Sequence, residues 1–195
     1  MYITDAVILK KEPIGEADLL ITALTRRFVS IRLVAQGARK VEAKLKGHLE
    51  PLSLSRLSFV TGRNNYRLVG AELLDFFPTI KSNPSRILHA SEVFKAVGSA
   101  LFEDRREENG NFFAIALEVL NLFNDPLCGP EECQAGLIWF RARFLDELGL
   151  FPDPKTSCLQ LPCAGFATAG DVSEVRRLTD ITARRFAEHL INMYI

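Results

Sequence analysis

The chain has few histidines, few cysteines and no long apolar run, and each shortage removes a class of function. Its three histidines, His48, His89 and His189, are scattered with no metal-ligand or base–nucleophile spacing. No G-x-S-x-G, Walker A or G-x-G-x-x-G string occurs, and the acids that cluster, Glu103 to Glu108, fall in a polar linker. The expectation is a protein that is not an enzyme, with no catalytic residue and no cofactor. Four cysteines in 195 residues are too few for a disulfide scaffold. They form two pairs, Cys128/Cys133 and Cys158/Cys163, each with four residues between, a spacing that structural zinc can use. The first pair reads as a loop entering a helix and nothing brings the pairs together, so metal-free thiols are expected. No apolar run approaches the roughly 20 residues of a membrane span. The first residues, Met1 to Asp5, lack the basic start and apolar stretch of a signal peptide. The expected location is the cytoplasm, at the nucleoid.

Acids are also missing, but only locally. Ten of the 24 basic residues fall between Arg26 and Arg67, a window whose only acids are Glu42 and Glu50. The formal net charge of zero therefore conceals two opposed parts, and residues 80–195 hold 12 bases against 16 acids. Segregation of this kind says what a surface attracts, and a basic strip attracts phosphate. Hydrophobic residues make up 48% of the chain, enough for a packed core.

The first 80 or so residues read as short strands. Ala6 to Leu9 is apolar, and Pro13 to Glu16 carries turn chemistry. Leu19–Thr25 and Val29–Ala35 follow, the second ending at Gly37. Leu52 to Val60 alternates, Thr61 to Asn65 is a turn, and Tyr66 to Val69 begins another strand. About five short strands without a long helix suggest a small closed barrel. The character changes at Pro78. Asn83-Pro84 is a helix start, and Ile87, Ala90, Phe94, Val97 and Leu101 keep a helical period. A charged linker covers 103–110, a second helix runs from Phe112 to Phe123, and a third from about Glu131 to Leu148, stopped by Gly149. Residues 152–170 read as irregular, and a last helix carries Ile181, Phe186, Leu190 and Tyr194. The fold class is α+β in two domains, a β-barrel over 1–79 and a helical domain over 80–195.

Bases on a barrel exterior often serve only solubility. Here the excess is one-sided, and Arg39, Lys40, Lys44 and Lys46 fall in a loop between strands, where small barrels hold single strands. Arg26, Arg27, Arg32, Arg39, Lys40, Lys44, Lys46, Arg56 and Arg67 are the candidate phosphate contacts. Tyr66 and Phe28 are candidates to stack on bases, with core packing an equal role for Phe28.

Four segments, Ala6–Leu9 with Gly15–Leu20, Ala35–Lys40, Leu49–Ser53 and Ala71–Pro78, resemble in order and spacing the bacterial DNA repair protein RecO family. Phe140 to Pro152 resembles the family's long helix. The resemblance implies an N-terminal OB-fold, a C-terminal α-helical domain and a recombination mediator without catalytic residues. Such a mediator binds single- and double-stranded DNA and anneals complementary strands. With RecR it loads RecA onto DNA coated by single-stranded DNA-binding protein (SSB), docking on the acidic, apolar-ended SSB tail. The chain departs from the family at its four-cysteine zinc-finger-like element. Cys158 and Cys163 have four residues between them instead of two, and no second pair follows, so no zinc is expected there. The sequence also ends sooner after this point than family members usually do, giving a trimmed helical domain as the expectation.

Two readings follow from the residues. In the first, the barrel bases line a phosphate-tracking face, and Trp139, Phe140, Arg141, Arg143 and Phe144 offer an apolar seat with a basic rim for the SSB tail. In the alternative, the barrel is a protein-interaction adaptor whose bases hold an acidic protein partner and no DNA.

Overall fold

The computed structural model describes residues 1–39, 46–62, 65–100 and 111–149. The expected last helix and the Cys158/Cys163 pair lie outside them. Among the described residues the chain divides into two compact units, one of residues 1–77 and 111–113, the other of 78–100 and 114–149.

The first unit is a closed barrel of five strands: β1 (Tyr2–Ile14), β2 (Asp18–Thr25), β3 (Val29–Ala35), β4 (Leu54–Thr61) and β5 (Tyr66–Asp75). Around the barrel the order is β1-β2-β3-β5-β4, closed by β4 on β1, with β3 and β5 the one parallel pair. This is the Greek-key barrel of the OB-fold. β1 is far longer than its apolar stretch Ala6–Leu9, because it serves two neighbours. Tyr2 to Val7 pair with β4, and Ala6 to Ile14 pair with β2. Leu9 is an extra residue opposite the Ala23–Thr22 step, a bulge that bends the strand from one partner to the other. β5 likewise runs beyond Val69, where a bulge opposite Ser58/Phe59 breaks the alternation that a sequence reading follows. Inward positions Ile8, Ile21, Leu33, Leu57, Phe59 and Leu68 fill the barrel, each burial contributing about 1.5–3 kcal/mol.

The second unit holds α1 (Pro78–Lys81), α2 (Pro84–Ala100), α3 (Phe112–Asn124) from its third residue on, and α4 (Pro130–Glu147). Only the one-turn α1 lacked a sequence signal. Asn83 caps α2, its Oδ1 accepting the N–H of Ser85 at 3.0 Å and, more weakly, that of Arg86 at 3.4 Å. Arg86 itself donates to the carbonyls of Phe123, Asp125 and Cys128 at 2.6–2.7 Å, fixing the corner between α3 and α4 from α2. Gly149 ends α4 at φ +71°, its N–H donating to the Asp146 carbonyl at 2.9 Å.

Candidate nucleic-acid interface

OB-folds hold oligonucleotides across strands 2 and 3, between the β1–β2 and β4–β5 loops. In this barrel the β1–β2 turn is tied to the exit of β3. Gly15 adopts φ +57°, Arg39 N donates to the Ala17 carbonyl at 2.9 Å, and Arg39 Nη1 donates to the Gly15 carbonyl at 3.1 Å. Gly37 N donates to Asp18 Oδ1 at 2.8 Å, turning that carboxylate onto backbone. Arg39 is exposed and stands at this edge of the face.

β3 crosses the middle of it. Ile31, Leu33 and Ala35 point inward, so Arg32 and Val34 point out, and Arg32 is exposed opposite Thr22 of β2. On the other side Val34 pairs with Arg67 of β5, also exposed. Exposed Arg26 and Arg27 occupy the β2–β3 turn, with the Arg27 guanidinium 5.6 Å from the Phe28 ring centroid. The β-branched Val29 closes this turn at φ +56°, a left-handed conformation that is strained for such a residue. The fold thus gathers Arg32, Arg67 and Arg39 around β3, with Arg26 and Arg27 at its start.

Arg56 does not join them. It faces outward on β4 between Asp5 of β1 and Glu72 of β5, and its Nε donates to Asp5 Oδ1 at 2.9 Å. That hydrogen bond first, then the Asp5 charge, holds Arg56 above its ordinary pKa, with Glu72 adding to the effect. Counting along the sequence assigned Arg56 to the basic strip because both acids are remote in sequence. Lys40 and Lys44 lie outside the described residues, as does the side chain of Lys46.

Beside the arginines is an aromatic cluster that the sequence only half revealed. Tyr2, Phe28, Phe59 and Tyr66 meet with ring centroids 5.2–6.5 Å apart, around a fully buried Phe59. Phe28 and Tyr66 are half-buried, so both sequence candidates for stacking are partly committed to packing. Tyr66 also borders an open groove of about 510 Å³, lined with it by Val34, Gln36, Val60, Gly62, Asn65 and Arg67 among others. Gln36 shares the outward parity of Arg32 and Val34, which was the available signal for it.

Residues 1–77 match the family model described as the N-terminal part of recombination protein O. Among curated relatives, a DNA repair protein RecO of Thermodesulfovibrio yellowstonii is 30% identical over 155 residues, covering 79% of this chain and 60% of that protein. RecO proteins of Roseiflexus and Gloeobacter violaceus are 34% and 33% identical, over 64% and 55% of this chain and 43% and 41% of theirs. The chain belongs to the RecO family. It spans between about two fifths and three fifths of the length of these RecO relatives.

In this RecO-family chain the expected seat for a peptide tail is not a surface. Trp139 is 6% exposed, and Phe140 and Phe144 are fully buried. α4 is apolar nearly all round from Gly136 to Leu145, a central helix whose aromatics are core. Its two arginines are occupied as well. Arg141 pairs with Glu92 of α2, and Arg143 with Asp146 one turn on, at 3.6 Å. The aromatics of this helix are corrected from partner contacts to packing.

Cys128 and Cys133 are buried with their sulfurs 3.1 Å apart. Burial first, and the hydrogen bond with Cys133 second, push the Cys128 thiol up to about 12. Among the described residues, no three His, Cys, Asp or Glu side chains gather as metal ligands, and no helix is long and apolar enough to cross a membrane.

Proposed function

We propose that this chain is a DNA repair mediator whose barrel binds single- and double-stranded DNA and anneals complementary strands without nucleotide hydrolysis. The observation that carries the reading is the set of exposed cations, Arg27, Arg32, Arg39 and Arg67, around β3 on the oligonucleotide face of an OB-fold. It agrees with relatives whose names say DNA repair protein RecO. Phosphate contacts position a strand without reading its bases, so binding is weakly sequence-selective and salt-dependent. Annealing follows from the same electrostatics. Two strands repel along their whole length, and arginines held on a rigid sheet neutralise part of that charge at no reorganisation cost. No residue has to do chemistry.

The same reading takes RecR, RecA and SSB as partners, with RecA loaded onto SSB-coated DNA. The SSB tail needs an apolar seat with a basic rim, and Trp139, Phe140 and Phe144 do not supply it while they are core. The test is annealing of two complementary fluorescent oligonucleotides by the full chain, naked and coated with SSB, without ATP. Acceleration in both settings, together with gel shifts of single-stranded and duplex DNA, supports the reading. An absence of any DNA shift alongside capture of an acidic protein points to the adaptor instead.

A further inference from the structure

We infer that Cys128 and Cys133, at the start of α4, are a modification site: an oxidisable thiol pair that closes to an intramolecular disulfide by exchange with a small disulfide such as oxidised glutathione. The inference is independent of the DNA-binding reading, whose phosphate contacts all lie on the barrel. Buried cysteines commonly act as small apolar side chains, but apolar neighbours stay about 4 Å apart. Here both thiols are buried and the sulfurs are 3.1 Å apart, about 1 Å from bonding distance.

The backbone puts them there. Cys128 immediately precedes the N-cap Gly129 and Cys133 is the fourth residue of α4, the two positions whose side chains meet across a helix start. Pro130, the first helical residue, has the φ that this turn requires. Cys133 N donates to the Gly129 carbonyl at 3.0 Å and Cys128 N to the Asp125 carbonyl at 3.1 Å, while Arg86 Nη2 holds the Cys128 carbonyl at 2.6 Å. The pair is therefore brought together before any oxidant arrives.

In the exchange, one cysteine loses its proton and attacks a sulfur of the small disulfide, expelling one thiolate and leaving a mixed disulfide. The second cysteine, deprotonated in turn, attacks the first cysteine's sulfur and expels the other thiolate. Two protons and two electrons leave the protein, and one small disulfide becomes two thiols. Burial holds the Cys128 thiol protonated and slows the exchange while the corner is closed. The way in is short, because Leu127, next in the chain, is 80% exposed and Gly129 gives α4 no side-chain cap. The folded corner holds the two sulfurs together, whereas the unfolded chain must close the same loop by chance. Linkage makes the resulting preference equal to the factor by which the disulfide stabilises the fold, about 30-fold for so short a loop.

The experiment uses the full chain carrying Cys158→Ser and Cys163→Ser, so that two thiols remain. It is equilibrated with reduced and oxidised glutathione, folded and in urea, then quenched with acid and weighed by mass spectrometry. Equilibrium is approached from both the oxidised and the reduced chain, so slow access to buried thiols cannot pass for a preference. The folded chain is expected to lose two hydrogens and retain no glutathione, with a closing constant about 30-fold above that in urea. Its oxidised form should also melt at a higher temperature than its reduced form. An equal or smaller closing constant in the folded chain, a mixed disulfide that persists, or a lower melting temperature after oxidation overturns the inference. If the double serine variant fails to fold, peptide mapping of the oxidised wild type replaces it: a Cys128–Cys133 link supports the site, and any other pairing rejects it.

Discussion

Replacing Arg32 and Arg67 together by alanine removes the cations on either side of the β3–β5 junction. They stand on neighbouring strands, offset by two residues because Val34 is the register partner of Arg67, and so are about 7 Å apart along the strands. Each phosphate neutralised on a single strand contributes about −0.7 to the slope of log K against log salt. Four contacts, from Arg27, Arg32, Arg39 and Arg67, give a slope of about −2.8, and raising salt from about 50 to 200 mM then weakens binding about 50-fold. With two contacts gone the slope is about −1.4 and the same change in salt weakens binding only about sevenfold. Any further basic contact steepens both lines alike, so the difference of about 1.4 is the quantity to measure. Fluorescence anisotropy of labelled oligo(dT) at four salt concentrations gives it directly. Arg56→Ala is the internal control: its charge already serves Asp5 and Glu72, and its slope should match the wild type. An unchanged slope in the Arg32/Arg67 variant, or an equal loss in Arg56→Ala, refutes the assignment of the face.

Other consequences concern stability. Arg86→Ala strips three carbonyls of a charged donor and should destabilise the helical unit by about 3 kcal/mol in urea unfolding, with Arg86→Lys recovering less than half; a change under about 1 kcal/mol would remove the corner clamp from the account. Cys128, raised from 9.0 to about 12, keeps its proton in the folded state where the unfolded chain releases it. Stability from this group is therefore complete below about pH 9 and is lost as pH rises toward 12, so the gap in melting temperature between wild type and Cys128→Ala should narrow across that window. Gly62→Ala forces a Cβ to within 2.5 Å of the Asn65 carbonyl and should cost about 1–3 kcal/mol, whereas Gly70→Ala, with only an ordinary 3.8 Å contact, should cost much less; equal thermal shifts would contradict the hairpin geometry.

The barrel was legible because its strands alternate and its turns carry glycine and asparagine, and helix starts were legible where a cap is local, as at Asn83-Pro84. Strand ends were less so. Tyr2 to Asp5 and Lys10 to Ile14 belong to β1 because β4 and β2 lie alongside, and no local pattern carries that information. The aromatics of α4 were misassigned for a related reason. A helix that is buried on all sides and one that presents an aromatic face contain the same residues, and only the neighbouring helices decide between them.

The charges of the barrel pose the same problem on a larger scale, and strand order resolves it. β4 lies between β1 and β5, and both bring an acid into register with its outward arginine, Asp5 on one side and Glu72 on the other. β3 lies between β2 and β5, and at its outward positions the register partners are Leu20, Thr22 and Arg67. A cation on β4 therefore meets acids within its own sheet, while Arg32 on β3 stands opposite Thr22. The one-sidedness that matters to phosphate is thus a property of which strands are neighbours. A linear count of bases from Arg26 to Arg67 detects the surplus but cannot say which wall of the barrel carries it. The parallel contact of β3 with β5 brings Arg67 beside Val34 and so unites the phosphate contacts with the groove at Tyr66.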